Sequence, residues 1–87
     1  MRHARDEDLD RIEPLLQAIR AAGAGVLKEK KRGCFYLKSK GFLHFHEDPK
    51  GMFADIEDDR IQVDEPAGAA AVLARVAAVA AAATARA

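Results

Sequence analysis

The apolar positions along this chain change period twice. In "DEDLDRIEPLLQAIRA", residues 6–21, Leu9, Ile12, Leu16 and Ile19 recur three or four residues apart, the spacing of one helix face. This predicts a helix over about 6–22, with Asp6 or Asp8 as N-cap and acids in the first turn, where the dipole favours them. Pro14 has no N–H to donate to residue 10, so the helix kinks there or begins properly near Arg11. Gly23 and Gly25 end it. Residues 26–32 read as an extended arm or a short extra strand.

From Gly33 the period becomes two. In "CFYLKSKGFLHFH" a turn closing on Gly41 in a left-handed bulge pairs Leu37 with Leu43 and Phe35 with Phe45. "EDPK" then sets Phe45 beside Met52 and Leu43 beside Ala54. A turn at Asp58 and Asp59 sets Ile56 beside Ile61 and Ala54 beside Val63. Strands are predicted at about 34–38, 42–46, 51–57 and 60–63. One face of the sheet then carries Phe35, Leu37, Leu43, Phe45, Met52, Ala54, Ile56, Ile61 and Val63, and this is the core face. A second helix is predicted over about 65–81, with Asp64 as N-cap, Pro66 in the first turn and Val72, Leu73, Val76 and Val79 as its apolar stripe. Beyond Ala80 nothing large remains to pack, and "AAATARA" is expected to fray. The whole is one α+β domain, residues 1–87: a four-stranded antiparallel meander with N- and C-terminal helices on one face, in the order α-β-β-β-β-α.

The opposite face carries Cys34, Tyr36, Lys38, Phe42, His44, His46, Phe53, Asp55, Glu57, Arg60 and Gln62. A solvated sheet face is mostly polar, whereas this one is aromatic at its centre, around Tyr36, Phe42, His44 and Phe53. Such patches mark contact surfaces, and Tyr and Phe are frequent anchors in them. His44 and His46 project to one side of one strand, about 6–7 Å apart by the two-residue repeat. The same register puts Cys34 across from His46, Tyr36 across from His44, and Asp55 diagonal to His44. Two imidazoles with a thiolate or carboxylate suit zinc, nickel or copper, so His44, His46, Cys34 and Asp55 form a candidate ligand set. The pattern H-x-H-x-D also occurs in metallohydrolases, where further histidines complete the site; here the other histidine is His3, placed on an N-terminal tail. The plainer reading, histidines half-buried in an aromatic interface or pocket, is preferred over the metal site and over a polar ligand site.

Composition narrows the classes further. Cys34 is alone, which removes an internal disulfide and fits a reducing cytoplasm. The charged N-terminus lacks the apolar run of a signal peptide, and Arg75 and Arg86 interrupt the alanine-rich end, which is read as a soluble helix rather than a membrane span. The 14 basic and 14 acidic residues balance but are segregated. Residues 28–40 hold Lys28, Lys30, Lys31, Arg32, Lys38 and Lys40 against Glu29, an excess of +5; residues 47–65 hold eight acids against Lys50 and Arg60, an excess of −6. The six basic residues, with Tyr36 and Phe42 adjoining, have the parts of a single-strand nucleic-acid platform. A zero net charge favours instead self-association or a charged protein partner. No P-loop, dinucleotide fingerprint, nucleophile elbow or paired CxxC motif occurs, and no acid, base and nucleophile fall together.

Residues 31–56, "KRGCFYLKSKGFLHFHEDPKGMFADI", resemble a family of small bacterial proteins through a recurrent pattern. It runs basic-Gly-x-Phe-Tyr, then Phe-Leu-His-Phe-His-Glu-Asp-Pro, then Gly-x-Phe-Ala-Asp. The resemblance implies the helix–sheet–helix layout and no catalytic activity. A looser similarity, confined to the hairpins, is to the MmcQ/YjbR-like family, and no DNA-binding role is carried over from it. The expectation is a cytoplasmic, non-enzymatic binding domain that forms a homodimer or meets a protein partner through Tyr36, Phe42, His44, His46 and Phe53, without a cofactor. Its rivals are a divalent transition-metal or small-ligand site at His44 and His46, and nucleic-acid binding by the basic segment.

Overall fold

The computed structural model describes residues 2–85, so Arg86 lies outside the described residues. The chain runs β1 (Arg2–His3), α1 (Asp6–Asp10), α2 (Glu13–Ala22), β2 (Leu27–Lys31), β3 (Cys34–Leu37), β4 (Lys40–Asp48), β5 (Gly51–Ile56), β6 (Asp59–Gln62) and α3 (Pro66–Ala85). The strands form one antiparallel sheet in the order β2-β3-β4-β5-β6, and β1 pairs with β4. The protein is α+β, with N- and C-terminal helices packed on the apolar face of the sheet. Residues 26–32 are therefore no loose arm: Leu27–Lys31 is a strand at the sheet edge. Nor is His3 on a free tail, since Arg2 pairs with Glu47 and His3 with His46.

The predicted N-terminal helix is two helices, broken at Arg11 and Ile12, and Pro14 falls in the first turn of the second, where its missing N–H costs nothing. Arg5, not Asp6 or Asp8, holds the N-cap position of α1. Asp8 serves that end from inside the first turn, accepting from the Arg5 N–H at 2.9 Å and from Arg2 Nη1 at 2.8 Å. That backbone bond, with Arg2 beside it, holds the buried Asp8 carboxyl below its ordinary range.

The core joins Leu9, Ile12, Leu15, Leu16 and Ile19 of the N-terminal helices to Phe35, Leu43, Phe45, Met52, Ala54 and Ile56 of the sheet and to Val72 and Val76 of α3. Every residue assigned to the apolar sheet face is in this core or, like Leu37 and Ile61, packed against it. The pairings differ from the expected ones, because each hairpin turns on two residues. Phe45 faces Ala54 and Leu43 faces Ile56; Ile56 faces Asp59 and Ala54 faces Ile61. Both registers have slipped by two residues, an even number, so no side chain changes face.

The β3–β4 hairpin is a different case. Leu37 pairs with Lys40 across Lys38 and Ser39, and the left-handed residue is Lys38 (φ 58°), not Gly41. That register is odd relative to the expected one and would invert the faces. A bulge between Gly41 and Leu43 absorbs one residue, Phe42, so that Phe35 meets Leu43 and the faces are restored.

Helix α3 begins at Pro66, with the Ala69 N–H on the Glu65 carbonyl, and continues past the expected end to Ala85. It is long and apolar enough to cross a membrane by length and composition, with a mean hydropathy of 1.7, yet its middle is tied to the sheet. Arg75 donates to Glu57 and Asp59, both at 2.8 Å, while Val72 and Val76 enter the core. Gly68 permits the close approach of the helix start to β6: a Cβ there would fall on the Gln62 carbonyl oxygen. Glycine to alanine inside a helix ordinarily gains about 1 kcal/mol. Gly68→Ala is expected to do the reverse, destabilising by about 1–3 kcal/mol through overpacking, a fall of several degrees in Tm by calorimetry. An unchanged or raised Tm would refute this docking of α3.

On the other side, two arginines tie the helices to the β2–β3 turn. Arg32 donates to Asp6, Asp10 and Glu13, and Arg20 to Glu13 and Glu29. The Arg32 and Arg20 hydrogen bonds hold the Glu13 carboxyl down at about 2, against an ordinary 4.5. A carboxyl depressed by folding stabilises the protein above its unfolded pKa and stops doing so as pH falls through its folded one. Stability measured by urea titration should hold down to about pH 4.5 and fall between there and about pH 2. Glu13→Gln should flatten that fall.

Candidate metal centre

The bulge in β4 separates two residues that alternation would have put together. Phe42, expected on the open face, is buried at 5% exposure and belongs to the core, where it lines a groove with Leu37, Val79 and Ala82. Its removal corrects the aromatic patch: Tyr36 and Phe53 remain on the open face, each half-buried. Tyr36 lies opposite Gly41 rather than His44, with Lys30 Nζ 4.3 Å from its ring centre.

Past the bulge, alternation along β4 directs Leu43 and Phe45 into the core and His44 and His46 outward. The tight β4–β5 turn, in which Asp48 accepts from the Lys50 N–H at 3.0 Å, fixes the register on the other side. It places Asp55 directly opposite His44 and Phe53 opposite His46, closer to both histidines than the expected diagonal position. Donor atoms of His44, His46 and Asp55 lie within 4.8 Å of one another. Asp55 Oδ2 is 3.0 Å from His46 Nδ1 and 4.0 Å from His44 Nε2.

Three features make this group unusual for a solvated sheet face. His46 and Asp55 side chains are only 13% and 17% exposed. Despite the 3.0 Å separation, the approach falls outside hydrogen-bond geometry, and His46 Nδ1 is a buried nitrogen with no hydrogen-bond partner. Burial lowers the His46 pKa, outweighing the nearby Asp55 carboxylate. Arg60 meanwhile grips Asp55 from the far side, Nε to Oδ1 at 2.7 Å and Nη2 to Oδ2 at 3.1 Å, which keeps the carboxyl pKa low and the group ionised. An imidazole nitrogen without a partner, beside an oriented carboxylate, is a donor pair that suits a borderline cation.

His3 joins the same side of the sheet. Its ring centre is 4.6 Å from that of His46 and 6.1 Å from that of His44, and the latter two are 5.2 Å apart. Sequence reasoning missed this residue because a two-residue strand has no periodicity to detect. Cys34, by contrast, is half-buried and free, and its thiol is not in the close donor group. The last β3–β4 pair is Phe35 with Leu43, and Cys34 pairs on its other side with Lys31 of β2, so it does not face His46.

The basic residues are partly committed elsewhere. Arg32 is bound to three acids, and Lys30 occupies a face of Tyr36 that a stacking base would need. Lys28, Lys31, Lys38 and Lys40 are exposed along β2 and at the β3–β4 hairpin tip. Comparison with protein-family models, with curated proteins and with solved structures returned no match.

The bulge has a direct energetic signature. Phe42→Ala should destabilise folding by about 3–5 kcal/mol, as for a buried phenylalanine. Tyr36→Ala, on the open face, should cost about 1 kcal/mol. Equal costs in chemical denaturation would place Phe42 outside the core.

Proposed function

We propose that this protein binds a divalent transition metal on the open face of its sheet through His44, His46 and Asp55. The observation that carries the reading is the unpartnered Nδ1 of His46, buried and 3.0 Å from a carboxylate oxygen that Arg60 holds in place. Donors bound to one tetrahedral ion lie roughly 3.3 Å apart, so the His46–Asp55 spacing fits and His44 needs a side-chain shift of about an ångström. Two imidazoles and one carboxylate favour zinc, copper or nickel over magnesium or calcium, which take oxygen ligands. Three protein ligands leave a fourth position for water or for a further group.

Protein purified without a histidine tag and stripped with chelator is expected to take up one zinc ion per chain by calorimetric titration. At a hundred times Kd the ion should add about 2.7 kcal/mol to stability, raising Tm by roughly 10–20 °C. A His44→Ala, His46→Ala double variant should lose both effects; uptake unchanged in that variant rejects the site.

Self-association through the open face is the second reading. It keeps Tyr36, His44, His46 and Phe53 but loses Phe42, the residue now in the core. Molar mass by light scattering in EDTA separates the two, since a dimer that persists without metal supports the face as an interface and a monomer does not.

A further inference from the structure

We infer that His3 is a third imidazole ligand of this centre, delivered by β1, so that metal binding locks the N-terminal strand onto β4. The inference rests on the metal centre proposed above and adds its coordination number and its coupling to the fold.

The argument begins with strand geometry. β1 pairs with β4 in the stretch that holds the site, His3 directly opposite His46 and Arg2 opposite Glu47. Facing residues in a pair project to the same side of the sheet, so His3 shares the side of His46 while Arg2 shares that of Glu47. Contacts on the helix side enforce this. Arg2 reaches Asp8 of α1 at 2.8 Å and Glu47 at 3.4 Å, and the Ala4 N–H donates to the Phe45 carbonyl at 3.1 Å. The orientation of His3 is thus set by its two neighbours in the chain.

The ring spacings then carry the chemistry. A metal–imidazole bond of about 2.0–2.1 Å puts the ring centre about 3.2 Å from the ion, so two rings at the tetrahedral angle sit about 5 Å apart. The three separations here, 4.6, 5.2 and 6.1 Å, bracket that value. His3 is exposed, and its ring makes no hydrogen bond or ion pair with the described residues, so nothing else claims its nitrogens. With Asp55 the set becomes three nitrogens and one oxygen, a complete tetrahedral shell in which the ion would tie β1, β4 and β5 together. The close donor group does not include His3, so binding requires its exposed ring to rotate inward.

The test uses the full chain loaded with one equivalent of copper(II) and, separately, with zinc. Pulsed electron paramagnetic resonance counts coordinated imidazoles: three are expected in the wild type and two in His3→Ala. Zinc affinity should fall at least about tenfold in His3→Ala. Arg2→Ala loosens β1 but keeps the imidazole, so its count should stay at three. Amide exchange at Ala4 should slow on zinc addition in the wild type and not in His3→Ala. If the wild type binds no metal, the centre itself is rejected, and this inference with it. If it binds metal and His3→Ala leaves count and affinity unchanged, the His44–His46–Asp55 centre stands and the third ligand is overturned.

Discussion

The position of one residue in β4 governs both faces of this sheet. A hairpin closed by Lys38 and Ser39 pairs Leu37 with Lys40, and an unbroken ladder from there would set Phe35 against Phe42. His44 and His46 would then point beneath the helices, and Leu43 and Phe45 would point outward. Burying two imidazoles under α2 and α3 without partners costs several kcal/mol, and exposing a leucine and a phenylalanine forfeits about 2 kcal/mol each. The bulge at Phe42 avoids both costs by spending one residue. Phe42 itself then adds to the core rather than to the open face, so one irregularity supplies a core side chain and aims the histidines.

That aim matters because the group it creates is not self-satisfied. Asp55 is fully engaged on one side by Arg60, yet its Oδ2 leaves His46 Nδ1 without a hydrogen bond at 3.0 Å. A buried unsatisfied nitrogen costs about 1–3 kcal/mol, a sizeable fraction of the 5–15 kcal/mol that holds a small domain folded. The other charged cluster of the molecule behaves differently. There Glu29 takes both Arg20 and the Gly33 N–H, and every named acid has an arginine partner at 2.6–3.1 Å. One cluster closes on itself and explains its own presence; the other leaves a buried nitrogen without a partner.

What was legible in the sequence follows from periodicity. The core face was readable because alternation survives any even slip, and the β4–β5 and β5–β6 hairpins slipped by two. Turn length was not readable: "KSKG" suits a glycine bulge as well as a two-residue turn, and the left-handed role passed to Lys38. With the turn on Lys38 and Ser39, Phe42 passes from the open face to the core. His44, His46 and Asp55 were legible as neighbours, although their register was two residues off. His3 and Cys34 exchanged standing because their positions depend on partners outside their own segments. Two residues of β1 acquire strand geometry only from β4, and the shifted β3–β4 register leaves Cys34 beyond the last pair with β4, opposite Lys31 of β2.

The same dependence explains why the site lies where it does. β4 is the longest strand, nine residues, and only in its second half does it have β1 on one side and β5 on the other. Three backbones converge there, and β1 is held by two residue pairs, by the Ala4 N–H on the Phe45 carbonyl and by Arg2. Domains of this size bury too little apolar surface to be stable by a wide margin, and a lone cysteine provides no internal disulfide. An ion held by residues of β4 and β5, and joined by His3, would bind the folded arrangement and not the unfolded chain. Its binding energy would then enter the stability of β1 directly. The outward-facing histidines are thus placed where one bound ion would reach side chains of three strands and fasten β1 to the sheet.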